Sequence, residues 1–160
     1  MISKTAPVNL VTTDSLLENW QGHRRLTRKT IEAFPEDKLF QFSVGGMRPF
    51  GILAQEMISM AVPVVEGVST GTWAAFEHGQ SKSKSELLES WDLQTKLLDE
   101  KFPQIPAPRF WAVEKAFGEW EMPGIVTIQY AIDNEIHHRG QGYVYLRALG
   151  IEPPPFWDRN

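Results

Sequence analysis

The 160-residue chain contains no cysteine. Disulfide bridges, thiolate nucleophiles and cysteine-ligated metals are therefore excluded. Long apolar runs are also missing. The most apolar stretch, near Ile52 to Val65, is interrupted by Gln55, Glu56, Ser59 and Pro63, so no membrane span is expected. The opening residues, Met1 to Thr13, carry one lysine and no apolar run of signal-peptide length, and a cytoplasmic location is expected. Basic residues are in deficit: 16 Lys and Arg face 20 Asp and Glu, and the net charge of −4 argues against nucleic acid as a partner. There are no internal repeats, and none of the serine-hydrolase, phosphate-loop or zinc-protease signatures occurs.

What the chain does contain is large apolar side chains, six Trp and nine Phe among them. With that supply, residues 1–160 are expected to form one domain with a core of useful size and no need of staples. Periodicity and punctuation predict four helices, an all-α bundle. The first spans about 14–34, capped by Thr13 or Asp14 and stopped by Pro35. The second opens at Pro49 after Gly45-Gly46 and runs to about Gly67, with Pro63 a candidate kink. The third, about 84–102, follows a capping box of Ser83 and Glu86 and ends at Pro103. The fourth, about 123–149, ends at Gly150 before Pro153-Pro154-Pro155. The proline-rich segment 103–122 is a long connection, with some strand expected around Phe110 to Val113.

Ionisable residues interrupt three of the four apolar stripes. They are His23 and Arg24 on the first helix, Glu56 at the centre of the second helix's face, and Glu135, His138 and Arg139 on the fourth. The third stripe, Leu87, Leu88, Trp91, Thr95, Leu98 and Phe102, has none. Buried charge is costly unless it is paired. These groups are therefore expected to meet in one polar site between the first, second and fourth helices, as metal and ligand sites of bundles do.

The run His137-His138-Arg139-Gly140-Gln141, followed by Tyr145-Leu146-Arg147 and Gly150, resembles the C-terminal signature of the DinB-like family. Trp20 and Phe50-Gly51-Ile52-Leu53 are similar to the family as well. The resemblance implies a four-helix bundle with a long crossover connection, often a homodimer. It also implies one divalent metal, zinc or nickel, held by three histidines: one on the second helix and two at i and i+4 on the fourth. By the same resemblance the activity is that of a transferase using a low-molecular-weight thiol, or hydrolase-like, acting on a small molecule in stress response or detoxification. At the three ligand positions this chain carries Glu56, Asn134 and His138. His23 is a candidate additional ligand. Glu135 and Arg139, at i and i+4, would hold His138 in place or form a structural pair along their own helix.

Two readings stay open. In one, Glu56, Asn134 and His138 bind a metal that activates water or thiol. In the other, Glu56 is paired with His138 or Arg139, no metal is needed, and the bundle is a binding or stress-response module. Glu135-x-x-His138 matches half of a di-metal carboxylate motif and finds no second half. His137 points away from the apolar arc, and His78 falls in a Gly-rich connection where a solvated side chain is expected.

Overall fold

A computed structural model describes residues 11–75, 77 and 79–160; His78 lies outside the described residues. Its elements are α1 (Thr13–Ala33), α2 (Glu36–Leu39), α3 (Phe50–Thr70), α4 (Lys84–Lys101), two 3₁₀ turns (Phe102–Gln104 and Ala107–Phe110), β1 (Val113–Ala116), β2 (Trp120–Pro123) and α5 (Gly124–Ala148). The four long helices form the expected bundle. α1 and α3 each pack against both α4 and α5, so α1 faces α3 across one diagonal and α4 faces α5 across the other. The 102–123 connection must therefore cross the end of the bundle.

Helix boundaries follow local chemistry. Thr12, rather than Thr13 or Asp14, caps α1, in a reciprocal pair with Ser15: Ser15 N–H donates to Thr12 Oγ1 at 3.1 Å and Thr12 N–H to Ser15 Oγ at 2.8 Å. Ser83 caps α4, but Glu86 reaches back to the Lys82 N–H at 2.8 Å instead of closing the box on Ser83. Pro49 is the residue before α3, and the helix continues through Pro63 to Thr70. It ends where Gly71 takes φ +77°, a conformation that favours glycine. The expected strand near Phe110 to Val113 is displaced: Phe110 closes a 3₁₀ turn, and an antiparallel hairpin pairs Val113 with Pro123 and Ala116 with Trp120. α2 was not anticipated, because four residues show no periodicity.

Two apolar clusters fill the bundle. One joins Trp20, Val64, Val68, Leu98, Phe102 and Ile132. The other joins Ile31, Phe34, Phe50, Leu53, Trp91 and Tyr145. Each fully buried Leu, Ile or Phe contributes roughly 1.5–3 kcal/mol. Gly142 lets α5 approach α3 closely, since a Cβ there would meet the Phe50 ring at 2.5 Å. α3 is long and apolar enough to cross a membrane by length and composition, but 67% of that stretch is buried inside the bundle, as befits a core helix. Its buried face is wide: Leu53, Ala54, Met57, Ile58 and Ala61 lie inside, while Ile52 is 37% exposed. Glu56 is therefore at the margin of that face, not at its centre.

Candidate functional site

Between the two apolar clusters the bundle has a polar waist. On α1 it comprises His23, Arg24 and Thr27, on α4 Thr95, and on α5 Asn134, Glu135, His138 and Arg139. The single shared site expected from the sequence divides into two groups on different sides of α5. The physical reason is the 100° step of the helix. Asn134 and His138 share one line of side chains facing α3, and Glu135 and Arg139 share the next, facing α1.

The α3 side is built around Glu56. Its Oε1 accepts from Asn134 Nδ2 at 3.2 Å and faces His138 Nε2 at 3.0 Å. Its Oε2 accepts from the Arg48 guanidinium. The hydrogen bond to His138 is the largest cause holding the Glu56 carboxyl at about 2, with Arg48 and Asn134 adding to it against the opposing effect of burial. His138 Nδ1 in turn faces Gln141 Oε1 at 3.0 Å. Arg48 and Gln141 were missed as site residues. Arg48 sits in the loop just before Pro49, outside any helical pattern, and Gln141 was visible only as part of the His-His-Arg-Gly-Gln run. Of the partners expected for Glu56, His138 is in place, whereas Arg139, His23 and Arg24 lie elsewhere, and the guanidinium on the carboxylate is that of Arg48.

The α1 side is dry. Glu135 Oε1 accepts from Thr27 Oγ1 at 2.7 Å, and Oε2 accepts from Trp20 Nε1 at 3.3 Å with Arg24 Nη1 at 3.8 Å. Burial pushes the Glu135 carboxyl up, with Arg24 and Thr27 opposing it. Arg24 is wholly buried. Its Nε donates to Thr95 Oγ1 at 2.8 Å, and its guanidinium lies 4.0 Å over the Trp91 ring. Burial lowers it to about 10, so it keeps its charge at neutral pH. Arg139 donates to Thr27 Oγ1 at 3.1 Å, so the link between Glu135 and Arg139 runs through that hydroxyl rather than as a simple i,i+4 pair. His23, the candidate extra ligand, lies here and not beside Glu56. Its Nδ1 faces Arg139 Nη2 at 3.0 Å and its Nε2 faces Arg159 Nη1 at 3.3 Å. Burial, then those two arginines, lower it to about 4. His137 is exposed, as expected.

A cavity of about 260 Å³ opens beside Glu56. Met60 of α3, Tyr130 of α5 and Phe117, Trp120 and Met122 of the hairpin form its walls, with Glu56 at its polar end. Phe117 holds φ 52° at the hairpin turn and packs edge-on against Trp73, with ring centroids 5.2 Å apart. The hairpin's part was not anticipated, because a hairpin in a proline-rich connection gives no periodic signal.

Whether Glu56, Asn134 and His138 suit a resident metal depends on their free lone pairs. The ionised Glu56 carboxylate only accepts, so the His138 nitrogen facing it carries a proton where a metal would need a lone pair. The Asn134 amide turns its nitrogen to Glu56, and its Oδ1 is buried without a hydrogen-bond partner. Arg48 already brings positive charge to the carboxylate. Among the described residues no group of three or more His, Asp or Glu is arranged to hold a metal. As placed, the donor set closes on itself and does not fit a divalent cation.

Comparison with known proteins agrees with the geometry of the bundle. The model of the DinB family matches residues 4–159. The uncharacterized protein YjoA of Bacillus subtilis is 20% identical over 150 residues, 92% of this chain and 97% of that protein. The crystal structure of YjoA, a DinB-like protein, superposes with a TM-score of 0.74, covering 89% of this chain and 96% of that one. A DinB-like protein from Bacillus cereus, 19% identical, gives 0.71 over 89% and 95%. This four-helix bundle belongs to the DinB family.

Proposed function

We propose that this DinB-family chain binds a small molecule without a metal, in the cavity whose polar end is Glu56. The observation that carries this reading is the neutralisation of Glu56. Arg48, His138 and Asn134 occupy both carboxylate oxygens, so the charge needs no metal, while Glu56 also lines a largely apolar cavity. An apolar pocket with a few convergent polar groups is the usual form of a ligand site. Its volume, below the ~300–1,000 Å³ common for drug-sized ligands, suits a molecule of one or two rings.

The competing reading is the metal-dependent thiol transferase or hydrolase that the family resemblance implies. It draws support from the convergence of Glu56, Asn134 and His138 on one point and from the unpaired Asn134 Oδ1. A protein-observed magnetic-resonance screen of ring-sized fragments against EDTA-treated protein separates the two. The proposal expects fragments to bind and to shift the Trp120 indole signal. If binding appears only after zinc or nickel is restored, the metal-dependent reading replaces it.

A further inference from the structure

We infer that the ligand of this cavity is a protonated amine carried on an aromatic or compact apolar body. The inference rests on the ligand-site reading above and specifies its chemistry. Glu56 is the charged residue of the cavity lining; the rest is thioether, aromatic and aliphatic, with one hydroxyl residue, Thr127. A carboxylate facing apolar walls favours a cation beside it, because low-dielectric surroundings strengthen the attraction that water would screen. Aromatic faces attract cations too, and Phe117, Trp120 and Tyr130 all line the cavity. Among the described residues no Lys, Arg or His lines the cavity, so an anionic ligand would find no cationic side chain in its walls.

The cation now in place is an exchangeable one. The Arg48 side chain is 49% exposed, against 16% for Glu56. It reaches Glu56 from a loop, and its Oε2 contact is separate from the Oε1 contacts of Asn134 and His138. An incoming ammonium can take the place of Arg48 on Oε2 while His138 and Asn134 keep the carboxylate oriented. Arg48 then turns to solvent, where a guanidinium is stable. No bond is made or broken; one ion pair is exchanged for another, and the ligand's apolar body leaves water.

Three probes of matched shape test this by calorimetry on the full chain in EDTA: 1-naphthylmethylamine, 1-naphthalenemethanol and 1-naphthylacetate. The amine is expected to bind on the order of tenfold more tightly than the alcohol, and the acetate most weakly. Glu56→Gln should erase the amine's preference while leaving alcohol binding, which also shows that the variant is folded. Arg48→Gln should strengthen the amine and leave the alcohol unchanged, because the competing cation is gone. Trp120→Ala should weaken both. Equal binding of amine and alcohol by the natural chain, or a preference that survives Glu56→Gln, would overturn the amine inference and leave the cavity as a neutral-ligand site. Failure of all three probes to bind would overturn the ligand-site reading itself.

Discussion

Glu56 and Glu135 are both acidic side chains held against α5, yet their surroundings drive them in opposite directions. Glu56 stands at the margin of α3, with a loop arginine and a histidine on its oxygens, and its carboxyl falls to about 2. Glu135 lies between α1 and α5 with 3% of its side chain exposed, and burial raises its carboxyl despite Arg24. The residues that separate them, Asn134 from Glu135 and His138 from Arg139, are adjacent in sequence. One position along a helix thus divides a structural polar layer from a solvent-linked site. The fully enclosed group fixes the helices; the marginal one has a cavity and a half-exposed counter-ion.

The largest effect should come from the enclosed side. Glu135→Ala strands Arg24 in the core and leaves Thr27 and Trp20 without their acceptor. Removing one partner of a buried pair costs about 3–5 kcal/mol, and urea denaturation should show that loss. Glu56→Gln keeps a polar side chain of the same size at a partly exposed position, so its cost should be about 1 kcal/mol. Equal costs at the two positions would erase the contrast between them.

The pH dependence of the melting temperature sharpens the same contrast. His23 is lowered from 6.5 to about 4, so the unfolded chain binds its proton first. Its contribution is complete above pH 6.5 and is lost as pH falls from 6.5 to 4. Glu56 is lowered from 4.5 to about 2, so its contribution is complete above pH 4.5 and is lost as pH falls towards 2. His23→Gln should therefore flatten the upper part of the acid limb, and Glu56→Gln the lower part. Glu135 has the opposite sign: its raised carboxyl favours the folded chain at low pH and loses that contribution as pH rises through its folded value. The smallest effect is expected for Arg48→Ala, at most about 1 kcal/mol for a half-exposed ion pair. A cost like that of Glu135→Ala would mean that Arg48 is a structural residue and not an exchangeable counter-ion.

The four helices were legible because each has a long stripe at helical spacing, with clear stops at Pro35, Pro103 and Gly150; the second, expected to end near Gly67, runs on to Thr70. The polar residues of the waist were legible for the same reason, as interruptions of those stripes. Their grouping was not. A wheel places Glu135 and Arg139 inside the apolar arc, His138 at its edge and Asn134 beyond it, but which neighbour each faces depends on how α1 and α3 sit around α5. The breadth of the α3 face was hidden as well, since Gly51, Ala54 and Ala61 are buried by close approach rather than by size. Arg48 and the hairpin residues belong to connections, and connections carry no periodicity from which a cavity wall can be inferred.

The central claim is that the protein's own side chains, Arg48 foremost, and not a metal, neutralise Glu56. Elemental analysis of the full chain, purified without a histidine tag or chelator, tests it most directly. The account predicts zinc and nickel at background in both the natural chain and Glu56→Gln. Stoichiometric metal in the natural chain that disappears in Glu56→Gln would contradict it.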